Sequence, residues 1–231
     1  MPTFSQHILS YHLQLSIPPN LPKGVSVMHP FLDESVHNLS AQFYGKYYAD
    51  NKQRILILGI NPGRFGAGVT GVPFTDPARL EQITGIKNTL IKRPELSAEF
   101  MYSMIAGYGG AKKFYQHFYI NSVYPLGLLQ YGKNRNYYDS PLLRKSLQPY
   151  IIDHLRAQKQ FPITDKVVIC LGEGANFKFL QQLNNEYHFF ENIFPLPHPR
   201  YILQYKRKQL EDYKKRYVEV LKQSKAMADS K

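Results

Sequence analysis

Apolar positions follow two rhythms along this chain. Ile55 to Leu58 and Lys166 to Leu171 are short runs rich in branched residues, each stopping at a glycine, as strands buried on both faces do. FYINSVYPLG at 118–127 reads as a third strand ending at Pro125, and residues 188–194 as a fourth. In the third, alternation puts Ser122 and Tyr124 on one face, and Asn121 and Val123 on the other. Between these runs the apolar spacing is helical: Val36, Leu39, Phe43 and Tyr47 follow the start signal Asp33. Further helices are expected over 77–84 with Pro77 in the first turn, 97–108 opened by Ser97, and 111–117. Others enter through Pro141, run from the Gly172 turn to about Asn185, and close the chain over 203–224.

Four strand-like runs interleaved with helices predict an α/β fold, a three-layer domain with a central four-stranded parallel sheet flanked by helices. The 231 residues suit a single domain with a full core. Residues 1–32, with Pro18, Pro19, Pro22 and Pro30, read as an N-terminal arm laid over it. No internal repeat or linker interrupts the chain, which is expected to be a monomer.

The stretch at 54–76, RILILGINPGRFGAGVTGVPFTD, is the most distinctive. A strand runs into a loop with five glycines from Gly59 to Gly71, which lets the backbone turn tightly and approach a ligand. Open α/β sheets bind ligands just past the carboxyl ends of their strands, where Asn61 would project and Phe74 would offer a flat apolar face. Composition alone fits a Gly-rich surface loop over a core phenylalanine equally well. Gly172-Glu173-Gly174-Ala175-Asn176 also follows a strand, but it does not complete a dinucleotide fingerprint.

Charge narrows the partners. With 29 basic against 17 acidic residues the chain carries +12, a surplus suited to a polyanion, nucleic acid before an anionic membrane. Its one cysteine, Cys170, lies in the apolar run VVICLG and reads as core, which excludes a disulfide framework and a cysteine-ligated zinc or iron–sulfur site. No apolar run reaches spanning length and no signal-peptide core is present, so a cytoplasmic protein is expected.

GINPGRFGAGVTGVPF closely resembles the first active-site motif of the single-strand-selective monofunctional uracil-DNA glycosylases, Gly-Met-Asn-Pro-Gly-Pro-Phe-Gly followed by Gln-Thr-Gly-Val-Pro-Phe. Ile60, Arg64 and Val69 stand where that family has Met, Pro and Gln. LPHPR resembles its second motif, His-Pro-Ser-Pro-Arg, without the Ser-Pro pair; GKNRN resembles its Ser-Gly-Arg-Asn loop. The likeness extends over residues 40–224.

This resemblance implies a monofunctional hydrolase of the N-glycosidic bond of uracil in DNA that flips the base out of the helix and initiates base excision repair. It needs no metal or organic cofactor. Asn61 would orient the attacking water, and His198 would donate to the uracil oxygen where charge develops. Gly59, Ile60, Gly63 and Phe74 would bind the base, Phe74 by stacking, while Gly63 would leave room beside the 5-carbon. The family reads the pyrimidine edge with an Asn three residues before the strand-ending proline. That count gives Ser122, with Asn121 as the alternative if the register slips. A hydroxyl there implies a permissive pocket reaching 5-hydroxymethyluracil, xanthine and hypoxanthine. Arg200, Lys206 and Arg207, with Arg64 and Asn136, would contact DNA. A DNA-binding module of the same fold with weak catalysis is the competing reading.

Overall fold

In the computed structural model of the protein, residues 1–230 are described. In chain order the elements begin α1 (Phe4–Gln14), β1 (Val25–Met28), α2 (Glu34–Tyr47), β2 (Arg54–Gly59), α3 (Ala67–Thr70) and α4 (Pro77–Thr84). Next come α5 (Leu96–Tyr108), α6 (Ala111–His117), β3 (Phe118–Ser122), β4 (Gly127–Gln130), β5 (Lys133–Asn134) and α7 (Pro141–Gln158). The last are β6 (Ile163–Leu171), α8 (Ala175–Tyr187), β7 (Ile193–Leu196), α9 (Pro199–Tyr205) and α10 (Leu210–Asp229). They form two compact units, each of three stretches: residues 1–51, 60–95 and 122–161 in the first; 52–59, 96–121 and 162 onward in the second.

The second unit holds the four-stranded sheet, in the order β3-β2-β6-β7. β2 runs parallel to β6 with Leu58 opposite Cys170, and β6 parallel to β7 with Ile169 opposite Phe194. Every residue of β2 is buried, which explains its unbroken apolar run. Its one charged member, Arg54, is satisfied by carbonyls: Nε donates to Tyr115 and Nη1 to Lys52, both at 2.9 Å. Helices α8 and α10 pack on β6, and α6 on β2. This is the α/β architecture expected from the alternation of strands and helices.

Three boundaries differ from expectation, each for a local reason. β3 stops at Ser122, short of Pro125, because the Tyr124 N–H leaves the ladder to bond the Ile60 carbonyl at 3.1 Å. The fourth strand starts at Ile193 rather than 188. His188 there turns left-handed to end α8, and Asn184 clamps Phe190 through its N–H and carbonyl, both at 2.8 Å. The last helix begins at Leu210; the stretch before it is the short α9, broken where Lys206 leaves helical geometry at φ −126°.

In the first unit the N-terminal stretch is more regular than an arm. Thr3 and Gln6 form a reciprocal capping box, and α1 buries Phe4, Ile8 and Tyr11 along one face. β1 pairs antiparallel with β4, which continues into a hairpin with β5. The GKNRN stretch, which resembles a family loop, therefore begins inside a strand hairpin. Its two-residue turn, Tyr131-Gly132, has φ of 50° and 74°, the mirror-image geometry that matches strand twist.

Candidate active site

Asn61 follows two residues after the end of β2, and both ends of its carboxamide are engaged. Its Nδ2 donates to the Arg135 carbonyl at 3.0 Å, and its Oδ1 accepts from the Tyr137 N–H at 3.1 Å. The side chain thereby fastens the glycine loop to the segment after β5. An amide has two hydrogens and two acceptor positions, so these bonds leave the group capable of one more donation and one more acceptance. A carboxylate could not make the bond to Arg135. The backbone thus dictates the residue type independently of any catalytic role.

The loop itself is compact. Gly66 and Gly68 donate to the Gly63 carbonyl at 3.3 and 2.9 Å. A Cβ on Gly68 would lie 2.7 Å from that oxygen, so only glycine permits the approach. At Gly63 a Cβ would sit 2.9 Å from Glu95 Oε1, the tip of a flexible side chain. The Glu95 N–H bonds Asp76 Oδ2 at 3.0 Å, tying this acid to the cap of α4. Glu95 is a neighbour that sequence reading missed, since no motif frames it.

Phe74, half-buried, has φ 52°, a conformation costly for a bulky residue. Its surroundings over-determine the turn: Thr70 Oγ1 donates to the Thr75 carbonyl at 2.7 Å, and the Thr75 N–H to that of Val72 at 3.2 Å. Arg64 lies with its guanidinium 4.6 Å from the Phe65 ring, and Arg93 lies 5.2 Å from the same ring. Arg64 also donates to the Gly132 carbonyl, and its N–H bonds Asn134 Oδ1 at 3.2 Å. Asn136 bonds Asp139 twice, with its N–H to Oδ2 at 2.9 Å and Nδ2 to Oδ1 at 3.2 Å, and so braces this turn.

Ser122 is buried, 6% exposed, and its carbonyl accepts from His154 Nε2 at 2.9 Å. Asn121, in the second unit, points its amide along the strand to the Tyr119 hydroxyl at 2.9 Å.

The second unit carries His198 two residues past β7. Its backbone, φ −64° and ψ 136°, makes it the N-cap of α9, and Nδ1 accepts from the Arg200 N–H at 3.2 Å. Burial, followed by the charge of Arg200, lowers its pKa to about 4. The ring is therefore neutral near pH 7, and with Nδ1 an acceptor the proton sits on Nε2. Tyr217, buried, donates its hydroxyl to the Pro197 carbonyl and fixes the chain just before the histidine. Gly59, ending β2, offers its carbonyl to Asn176 Nδ2 at 3.4 Å; the same amide donates to Leu171 at 3.0 Å and so joins two strand ends. Ile60 spends its carbonyl on Tyr124.

Arg200 is exposed, Lys206 half-buried, and Arg207 pairs with Glu99 at 3.1 Å. Cys170 is buried core, its thiol pushed up to about 12 by burial. Among the described residues no cluster of His, Cys, Asp and Glu is arranged to hold a metal, and no helix is long and apolar enough to cross a membrane.

Residues 46–222 match the family model of the uracil DNA glycosylase superfamily. Over 150 residues the chain is 29% identical to the single-strand selective monofunctional uracil-DNA glycosylase of Rattus norvegicus, a match covering 57% of this chain and 54% of that protein. The Bos taurus counterpart is 29% identical over 103 residues, 37% of this chain and 38% of that protein. The chain thus spans about half the length of the curated relatives it matches, or less. The crystal structure of wild-type SMUG2 from Pedobacter heparinus is 43% identical, with a TM-score of 0.93, covering 96% of this chain and 98% of that one. The chain belongs to the uracil DNA glycosylase superfamily.

Proposed function

We propose that the chain is a monofunctional DNA glycosylase that hydrolyses the N-glycosidic bond of uracil and extends to 5-hydroxymethyluracil and the deaminated purines xanthine and hypoxanthine. The bond from C1′ to the base nitrogen breaks with its electron pair leaving on the base. Water then adds to C1′ and gives up a proton, leaving an abasic sugar and a free base. One observation carries the reading: His198 is neutral with Nδ1 accepting from the Arg200 N–H, which puts the ring proton on Nε2, the tautomer suited to donating to the oxygen on which charge develops. A cation there would require costly burial of charge; a neutral donor of set orientation needs no rearrangement as the base departs.

Asn61 contributes placement of water. An amide is no base near neutral pH, and its bonds to Arg135 and Tyr137 hold its remaining donor and acceptor in fixed directions. The sugar is already largely cationic when water arrives, so position matters more than deprotonation. Phe74 stacks on the extruded base. Ser122 meets the base edge with a hydroxyl, a group able both to donate and to accept, which favours breadth of substrate. No lysine is placed by a motif to attack the sugar, so strand cleavage does not accompany base release.

The test is single-turnover release from oligonucleotides each bearing one altered base, followed by alkali cleavage at the abasic site. Wild type should release uracil and at least one other deaminated base. His198→Ala should slow uracil release by about 10²–10³ with DNA affinity kept. Release at the wild-type rate by a folded His198→Ala protein would remove the histidine from the reaction, and no release of any base by wild type would leave a DNA-binding module.

A further inference from the structure

A buried chain of hydrogen bonds in the first unit ends on Ser122 and begins on the N-terminal helix. Tyr11 of α1, His154 of α7 and Ser122 are 7%, 3% and 6% exposed. The Tyr11 hydroxyl meets His154 Nδ1, and His154 Nε2 lies 2.9 Å from the Ser122 carbonyl oxygen. The direction of every bond follows from the last acceptor. A carbonyl can only accept, so Nε2 carries the proton. In a neutral ring Nδ1 then holds a lone pair, and the tyrosine must donate to it. Burial lowers the His154 pKa to about 4 and raises that of Tyr11, so both stay neutral through the working range.

We propose that Tyr11 and His154 are positioning residues for base recognition: the N-terminal helix, through the tautomer it imposes on His154, fixes the strand end that carries Ser122. The inference rests on Ser122 meeting the base. Three observations favour positioning over mere filling. β3 ends at Ser122, so its carbonyl is held by the histidine where the chain leaves the sheet. α1 is itself anchored, by its capping box and by N–H bonds from Phe4 to Asp50 and from Ser5 to Tyr48 at 2.7 and 2.8 Å. Tyr11 also lies outside residues 46–222, so its hydroxyl reaches His154 from a segment that the family model does not include.

The experiment compares Tyr11→Phe, His154→Leu, His154→Gln and Ser122→Ala with wild type, using the full chain. Readouts are the saturating single-turnover rate for uracil and for xanthine, the DNA concentration giving half that rate, and the thermal midpoint. Displacing a recognition group by a fraction of an ångström should lower the saturating rate by about tenfold or more in His154→Leu and by about threefold or more in Tyr11→Phe. Half-saturation should stay within about twofold, since phosphate contacts set most of the affinity. His154→Gln retains an N–H for the Ser122 carbonyl and should recover most of the rate, which a packing defect would not do. In wild type, imidazole nitrogen chemical shifts should show Nδ1 unprotonated and Nε2 protonated. The opposite tautomer would overturn the proposal, as would a wild-type saturating rate in Tyr11→Phe, the variant least able to disturb folding. A wild-type profile in Ser122→Ala would instead withdraw the reading of Ser122; a changed profile there beside an unchanged Tyr11→Phe would leave that reading standing and remove only the relay.

Discussion

A carboxamide at position 61 serves the backbone and the chemistry with the same two atoms. Its bonds to the Arg135 carbonyl and the Tyr137 N–H mean that aspartate, although a better base, would face a carbonyl with no hydrogen to share. Leaving a partly buried carbonyl unsatisfied beside a carboxylate costs about 1–3 kcal/mol. Asn61→Asp should therefore lower the thermal midpoint and slow uracil release together, and the loss should ease at low pH, where a protonated carboxyl can donate. A midpoint at the wild-type value would show that the clamp contributes nothing to the fold. At this scale the sequence speaks only where residues sit inside a motif, as Asn61, Phe74 and His198 do. It was silent on Glu95, Tyr137 and His154, whose roles depend on approaches across distant parts of the chain that no local spacing encodes. At Gly63 it gave no sign of Glu95, because a missing side chain says nothing about which neighbour lies alongside.

Elements were legible where the pattern was strong and their ends where a cap was explicit. Asp33, Pro77 and Pro141 marked three helix starts correctly, and the buried strands β2 and β6 announced themselves by unbroken apolar runs. Helix α1 carried both a Thr-x-x-Gln cap and an apolar stripe, yet the flanking prolines obscured them. That helix and α7 carry two buried histidines, and these tie the packing of both to pH. His12 stacks on Phe31 at 3.7 Å and is driven well below its ordinary pKa by burial, then by the charges of His37, His29 and His154. For His154 the drop from 6.5 to about 4 is worth on the order of 3 kcal/mol. The folded state keeps these rings neutral while the unfolded chain protonates them, so stability is full above about pH 6.5 and falls as pH drops toward 4. Below pH 6.5 each such histidine should cost about 1.4 kcal/mol per pH unit. Urea midpoints measured from pH 7.5 to 4.5 should decline, and His154→Gln should flatten the decline; a midpoint indifferent to pH would mean the rings are already solvated in the folded protein.

Over the whole molecule the surplus of +12 is the property that composition stated most plainly, yet composition could not say which charges are free to meet a phosphate. Ion pairs now sort them. Lys214 pairs with Glu211 at 2.8 Å and Arg216 with Glu173 at 2.5 Å, so much of the cationic helix α10 is locally balanced. Arg200 and Lys206 have no acidic partner among the described ion pairs, and Arg207 has only the solvent-exposed Glu99, a pairing worth little in water. Exchanging such a partner for phosphate is easy, and each phosphate contact releases counterions from the duplex. Each lost contact should therefore lower the slope of log affinity against log salt by about 0.9. Neutralising Arg200, Lys206 and Arg207 together should flatten that slope by about two to three units, whereas neutralising Lys214, Lys215 and Arg216 should change it by less than about one. Glu99→Gln supplies the converse: by releasing Arg207 and removing a repulsive charge, it should tighten binding at low salt and steepen the slope. Fluorescence anisotropy of a labelled duplex over a salt series reads all three. Equal flattening by both triple variants would mean that affinity follows net charge alone. No flattening by the first would place the DNA path on another face, with Arg64 and Arg93 around Phe65 as the next cations to remove.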